Sequence, residues 1–199
     1  MELSQSRTVK TVGVLLLLAV ISQTVFTALY IGPFEINPQF IWQFEALLFV
    51  VLAAVAGSAL VMAKRYTLGF SAIAFSAVLN IIQLGIGFTQ FGPFGEAAAA
   101  NADLEGVRSS VAALSFFMYN AAKVLLGMAA IVFGMAKMNQ GSKALGGLTV
   151  LVGVVAFVAN TLVMMFGLQG FVPSPLAGGS GVAATLLLSV CLFSLGSED

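Results

Sequence analysis

The chain lacks histidine altogether and has one cysteine, five prolines and only eight residues of each charge sign among 199. Without histidine, axial imidazole ligation of a haem, zinc-histidine chemistry and every imidazole acid or base are excluded. Most hydrolytic and redox mechanisms of membrane proteins fall with them. Cys191 alone can neither close an internal disulfide nor hold an iron-sulfur cluster. No P-loop and no glycine-rich dinucleotide fingerprint occurs, so no cofactor is expected. A formal charge of zero, with Lys64-Arg65 the longest basic run, leaves no surface for nucleic acid.

What fills the chain instead is apolar. Sixty per cent of the residues are hydrophobic, eight per cent are charged and the mean hydropathy is +1.06, which makes lipid the solvent for most of the sequence. A hydrocarbon core of about 30 Å takes roughly 20 helical residues to cross. Runs of that order lie at about 11–31, 41–63, 68–90, 110–136, 145–168 and 181–195. Stretches such as "VGVLLLLAV" do not alternate in polarity, which excludes a lipid-spanning barrel. The expected fold is therefore all-α: a polytopic six-helix membrane bundle forming one transmembrane domain over 1–199.

Basic residues orient the bundle. With the N-terminus cytoplasmic, Arg7, Lys10, Lys64, Arg65, Lys137 and Lys143 fall inside and only Arg108 outside. Both termini are then cytoplasmic, and a bacterial inner membrane is the expected setting. Arg7 and Lys10 precede an apolar stretch as in a secretory signal, yet no small-x-small cleavage site follows, so the segment reads as a retained first helix. The longest loop, at 91–109, contains "GEAAAANADLEG", the composition of a short surface helix.

A weak internal likeness runs through the chain. "GPF" at Gly32 returns at Gly92, and shifts of sixty and eighty residues align Gln23 with Gln83, Asn80 with Asn160 and Pro93 with Pro173. This suggests three helical hairpins repeated in parallel. Glycine followed by proline suits a helix stop, since glycine accepts the left-handed cap and proline cannot continue the helix. The turns are expected to end the odd helices.

Polar groups inside the spans are the candidate site, because ionisable residues in hydrocarbon cost several kcal/mol. Lys123 stands fourteen residues from Lys137, about 21 Å along the helix, and Glu45 nineteen from Lys64, about 28 Å. Two arrangements fit: an ion pair of Glu45 with Lys123, direct or through water, or separate solvation with Lys123 bonded to Asn120 or Tyr119. Ser76, Asn80, Gln83, Gly87 and Gln90 form one stripe on the third span. With Gln23 and Asn160 they outline a polar core around Lys123, unless each amide is simply interhelical glue. Small residues on the second span, "AAVAGSA", and on the fourth, Gly127 to Gly134, are expected to let those two helices approach closely.

Three functions remain open. One is a transporter or channel for a small polar solute or anion, built on Lys123 and Glu45. Another is a non-catalytic subunit that docks a membrane-protein partner or a second copy of itself through the 91–109 loop, or that binds an apolar ligand such as a lipid, quinone or pigment. An enzyme is the least expected, because the only plausible acid-base groups are Glu45, Lys123 and Tyr119.

Overall fold

The computed structural model describes residues 4–31, 39–167, 170 and 172–195. It contains six helices long and apolar enough to cross a membrane and, among the described residues, no strand. They are α1 (Gln5–Ile31), α2 (Gln39–Met62), α3 (Thr67–Ala100), α4 (Glu105–Asn139), α5 (Lys143–Phe166) and α6 (Ser174–Phe193), with a short 3-10 turn, Ala102–Leu104, between α3 and α4. The chain is thus a multi-pass helical membrane protein by architecture.

The helices form a ring rather than a stack of pairs. Around it run α1, α2, α3, α4 and α6, each touching the next, and α6 closes back onto α1. α5 stands outside this ring, packed on α4 and α6. The three hairpins therefore occupy unlike positions. Val12, Leu16, Phe49, Leu52, Ile73, Leu126, Phe133 and Leu188 fill the ring interior, each at most 2% exposed. α1 and α6 are joined at the terminal end of the bundle by the Ser189 hydroxyl, which donates to the Gly13 carbonyl at 2.8 Å.

The expected partnership of α2 with α4 is not observed. Their backbones do not meet across the ring, and a Cβ at Gly57 of α2 would find open space. The glycines of α4 pack on α5 instead. A Cβ at Gly127 would lie 2.9 Å from the Gly153 carbonyl oxygen, and one at Gly134 2.9 Å from that of Gly146. The reason is matching spacing: both helices carry glycine seven residues apart, so two antiparallel backbones can touch twice in register.

The second Gly-Pro-Phe turn also departs from expectation. α3 continues through Gly92, Pro93 and Phe94 to Ala100, and reaches 34 residues. An internal proline removes its own N–H bond, here to the Thr89 carbonyl, and its ring crowds that carbonyl, but the following run Ala97–Ala100 is the best helix-forming sequence available. Asn101 makes the actual stop. It leaves helical conformation at φ −145° and its side chain accepts from the Asp103 amide at 3.0 Å. At the end of α5 the capping residue is Gly167, with φ 75°, whereas Pro173 starts α6. The first turn, at 32–34, lies outside the described residues.

With 34 and 35 residues, α3 and α4 are about 50 Å long, roughly 20 Å more than the hydrocarbon core. Their joined ends form a helical hairpin that outreaches the other helices. Because Pro93 leaves a carbonyl free there, Pro93→Ala is expected to stabilise this hairpin by about 1 kcal/mol or more. Hydrogen exchange of amides 85–100 checks it: protection that fails to rise would show the proline to be unstrained.

Candidate functional site

Lys123 lies in the middle of α4, where leucine and alanine neighbours favour helix, and it is completely buried. Its stem is possible only because α6 presents glycine at that height. A Cβ at Gly181 would sit 2.7 Å from the Lys123 Cδ and 3.2 Å from its Cβ. The stem thus runs along bare backbone, and the ammonium emerges toward the ring interior. There Nζ donates to the Gln23 Oε1 of α1 at 2.6 Å and lies 5.1 Å from the centroid of the Tyr119 ring, close enough for cation–π attraction. Tyr119, one turn away on the same face, has its hydroxyl near α6, 3.7 Å from where a Cβ at Gly178 would be.

Glu45 enters the same interior from α2 and is 5% exposed. The Ser22 hydroxyl of α1 approaches its carboxyl group, and its charge is felt by both Lys123 and Tyr119. Glu45 and Lys123 nevertheless make no direct ion pair, and Glu45 Oε1 is buried without a hydrogen-bond partner. Lys123 is instead bonded to Gln23, and the hydroxyl near Glu45 belongs to the adjacent residue of the same helix, Ser22. One turn before Glu45 on the same helix face, Trp42 packs over Gly87 of α3, whose added Cβ would lie 3.5 Å from the indole. Its ring centroid is 6.0 Å from those of Phe26 and Phe91. Three helices thereby close an aromatic layer beside the Glu45 level.

The structure distributes the other sequence candidates elsewhere. Asn80 is spent on its own helix, donating to the Ser76 carbonyl at 2.9 Å and its hydroxyl at 3.4 Å. Gln83 donates to the Ser115 hydroxyl at 3.4 Å, bridging α3 and α4. Asn120 donates back to the Phe116 carbonyl at 2.7 Å. Asn160 ties α5 to α6 through the Ala177 carbonyl at 3.1 Å and keeps its own Oδ1 buried and unpaired. Gln23, Glu45, Tyr119 and Lys123 come together, while Gln83 and Asn160 bridge helices and Asn80 and Asn120 bond within their own. Sequence reasoning missed Ser22, Trp42, Gly178 and Gly181. A serine adjoining Gln23 and a tryptophan three residues before Glu45 were visible signals, whereas the glycines of α6 had none.

The α4–α5 seam has a second feature. One further step of seven beyond the Gly134–Gly146 and Gly127–Gly153 contacts places Asn120 at the level of Asn160, and there the helices part. A cavity of about 500 Å³ opens between them, lined by Phe116, Phe117, Asn120, Val163 and Met164, with Arg108 at its rim. Arg108 is already held by Glu105 at 2.5 Å. Among the described residues no three acidic or cysteine side chains gather to hold a metal ion.

Fold and site together define a helical multi-pass membrane protein with a buried pair of unlike charges inside a five-helix ring. Comparison with protein families, with curated proteins and with solved structures finds no match to this chain.

Proposed function

We propose that the chain is a small membrane transport protein whose ring interior, at Glu45, Lys123, Gln23 and Tyr119, binds a polar solute or ion. One observation carries this reading: two opposite charges are buried in one interior, yet Lys123 is bonded to Gln23 of α1 rather than to Glu45, whose Oε1 has no partner. A purely structural charge pair gains most from direct contact and full hydrogen bonding. Here a carboxylate oxygen is left unpaired, an arrangement that costs stability and is found where function demands it. Movement of α1 would release Lys123 from Gln23 and withdraw the Ser22 hydroxyl from the neighbourhood of Glu45 in one step. The charges would then be open to a solute, and their mutual distance would change as the site opens.

The membrane orientation belongs to the same proposal. Six basic residues against one put both termini in the cytoplasm, in the inner membrane of a bacterium. The α3–α4 hairpin then projects outside the cell. Its reach past the other helices is what favours the second reading, a non-catalytic subunit docking a partner there.

Purified protein in liposomes tests the choice. The parent is expected to pass a small polar solute or ion above leak, and Lys123→Met or Glu45→Gln to reduce that flux by about tenfold or more, as loss of a buried charged contact does. Flux at leak level in all three sinks the transport reading. A stoichiometric partner recovered on gentle solubilisation would then establish the other.

A further inference from the structure

We infer that the solute is a small zwitterion, its carboxylate taken by Lys123 and its ammonium by Glu45; the inference rests on the transport reading of this site. The bonding capacity left over at the two residues points to it. An ammonium group carries three donors, and Lys123 uses one in its hydrogen bond to Gln23. Glu45 offers an acceptor oxygen that nothing in the protein occupies. The site therefore presents a donor end and an acceptor end at once, held apart from each other.

Charge balance narrows the class. Glu45 and Lys123 together are neutral, and both are buried. An anion or a cation entering alone would leave one net charge in a low-dielectric interior, which is unfavourable. A zwitterion adds none, and its dipole can align against that of the protein pair. Uncharged polar solutes would also preserve neutrality, but they would leave both charges with weaker, neutral partners.

The walls agree with a compact solute. Gly181 lets α6 lie against the Lys123 stem and Gly178 lies beside the Tyr119 hydroxyl, so the wall behind the lysine stem is close-packed backbone. The Tyr119 ring already faces one ammonium, that of Lys123, and Trp42 stands a turn from Glu45. An aromatic face of this kind suits a second ammonium or its alkylated form.

The full chain in liposomes and nanodiscs is tested with glycine and trimethylglycine as zwitterions, acetate as the anion, methylammonium as the cation and acetamide as the neutral probe. Only the zwitterions are expected to raise the unfolding temperature, since a ligand stabilises in proportion to its occupancy, and their uptake should exceed that of the other probes by about tenfold. Lys123→Met should turn the preference toward methylammonium, and Glu45→Gln toward acetate. The parent alone decides the matter if a variant does not fold. Acetate, methylammonium or acetamide bound as well as the zwitterions would overturn the inference while leaving transport intact. Zwitterion binding without flux would support the site and sink the transport reading; no binding of any probe would overturn the inference.

Discussion

Gly146→Val is expected to prevent stable association of α5 with α4. A Cβ there would lie 2.5 Å from the Gly134 carbonyl oxygen, 2.6 Å from the Met138 Cγ and 2.7 Å from the Met138 amide nitrogen. Two of these three obstacles are backbone, so no rotamer change relieves them, and the helix axes must separate. Overpacking ordinarily costs about 1–3 kcal/mol, and a backbone obstacle places this variant at or above the top of that range. Lipid makes the loss worse, because helices in a bilayer associate through close packing without a hydrophobic drive. The neighbouring Gly147 provides the control. A Cβ there meets nothing within 4 Å, and Gly147→Ala should be neutral or stabilise by about 0.5–1 kcal/mol through helix propensity. Unfolding titrations in mixed micelles measure both; equal midpoints for Gly146→Val and the parent would show that the seam is not held by backbone contact.

That seam also shows where sequence reasoning stops. The glycines of α4 were visible as a close-packing face, because spacing within one helix is a local property. Which helix they meet is not local, and α2 was the wrong partner because it has a single glycine, Gly57, where α5 offers bare backbone at both Gly146 and Gly153. The same limit governs the site. Glu45 and Lys123 stood out because any ionisable group in a long apolar run does, and their comparable heights follow from helical rise alone. The Lys123 partner, Gln23, lies 100 residues away, and only the ring order of helices brings it near. Asn80 and Asn160 resembled one another on a sequence shift, yet one bonds within α3 and the other across to α6, since α5 has no counterpart inside the ring. Six helices were legible from run length. The overrun of α3 past Pro93 was not, because a strong helix-breaking residue was outweighed by the alanines after it and by the long packing surface of α4.

Removing both charges together is expected to cost less than the sum of removing each alone. In Lys123→Met, Gln23 Oε1 loses its donor and Glu45 loses the opposite charge that stabilises it in the ring interior. In Glu45→Gln, the fully buried ammonium keeps Gln23 but loses its countercharge. Truncating one member of a buried pair costs about 3–5 kcal/mol, because the survivor stays buried and uncompensated. The absence of direct contact between Glu45 and Lys123 puts each variant toward the lower end of that range. The double variant Glu45→Gln/Lys123→Met buries no charge at all, so its cost should fall short of the sum of the singles by about 1–3 kcal/mol, the range seen for coupled neighbours. A double-mutant cycle of unfolding free energies in micelles reads this directly. Additive losses would mean that Ser22 and Gln23 solvate the two charges independently, which is the separate arrangement open to the sequence and incompatible with a shared binding site. A coupling of the stated size would instead place both charges in one electrostatic unit that α1 holds apart, so that the energy of their approach is stored in the closed ring until α1 moves.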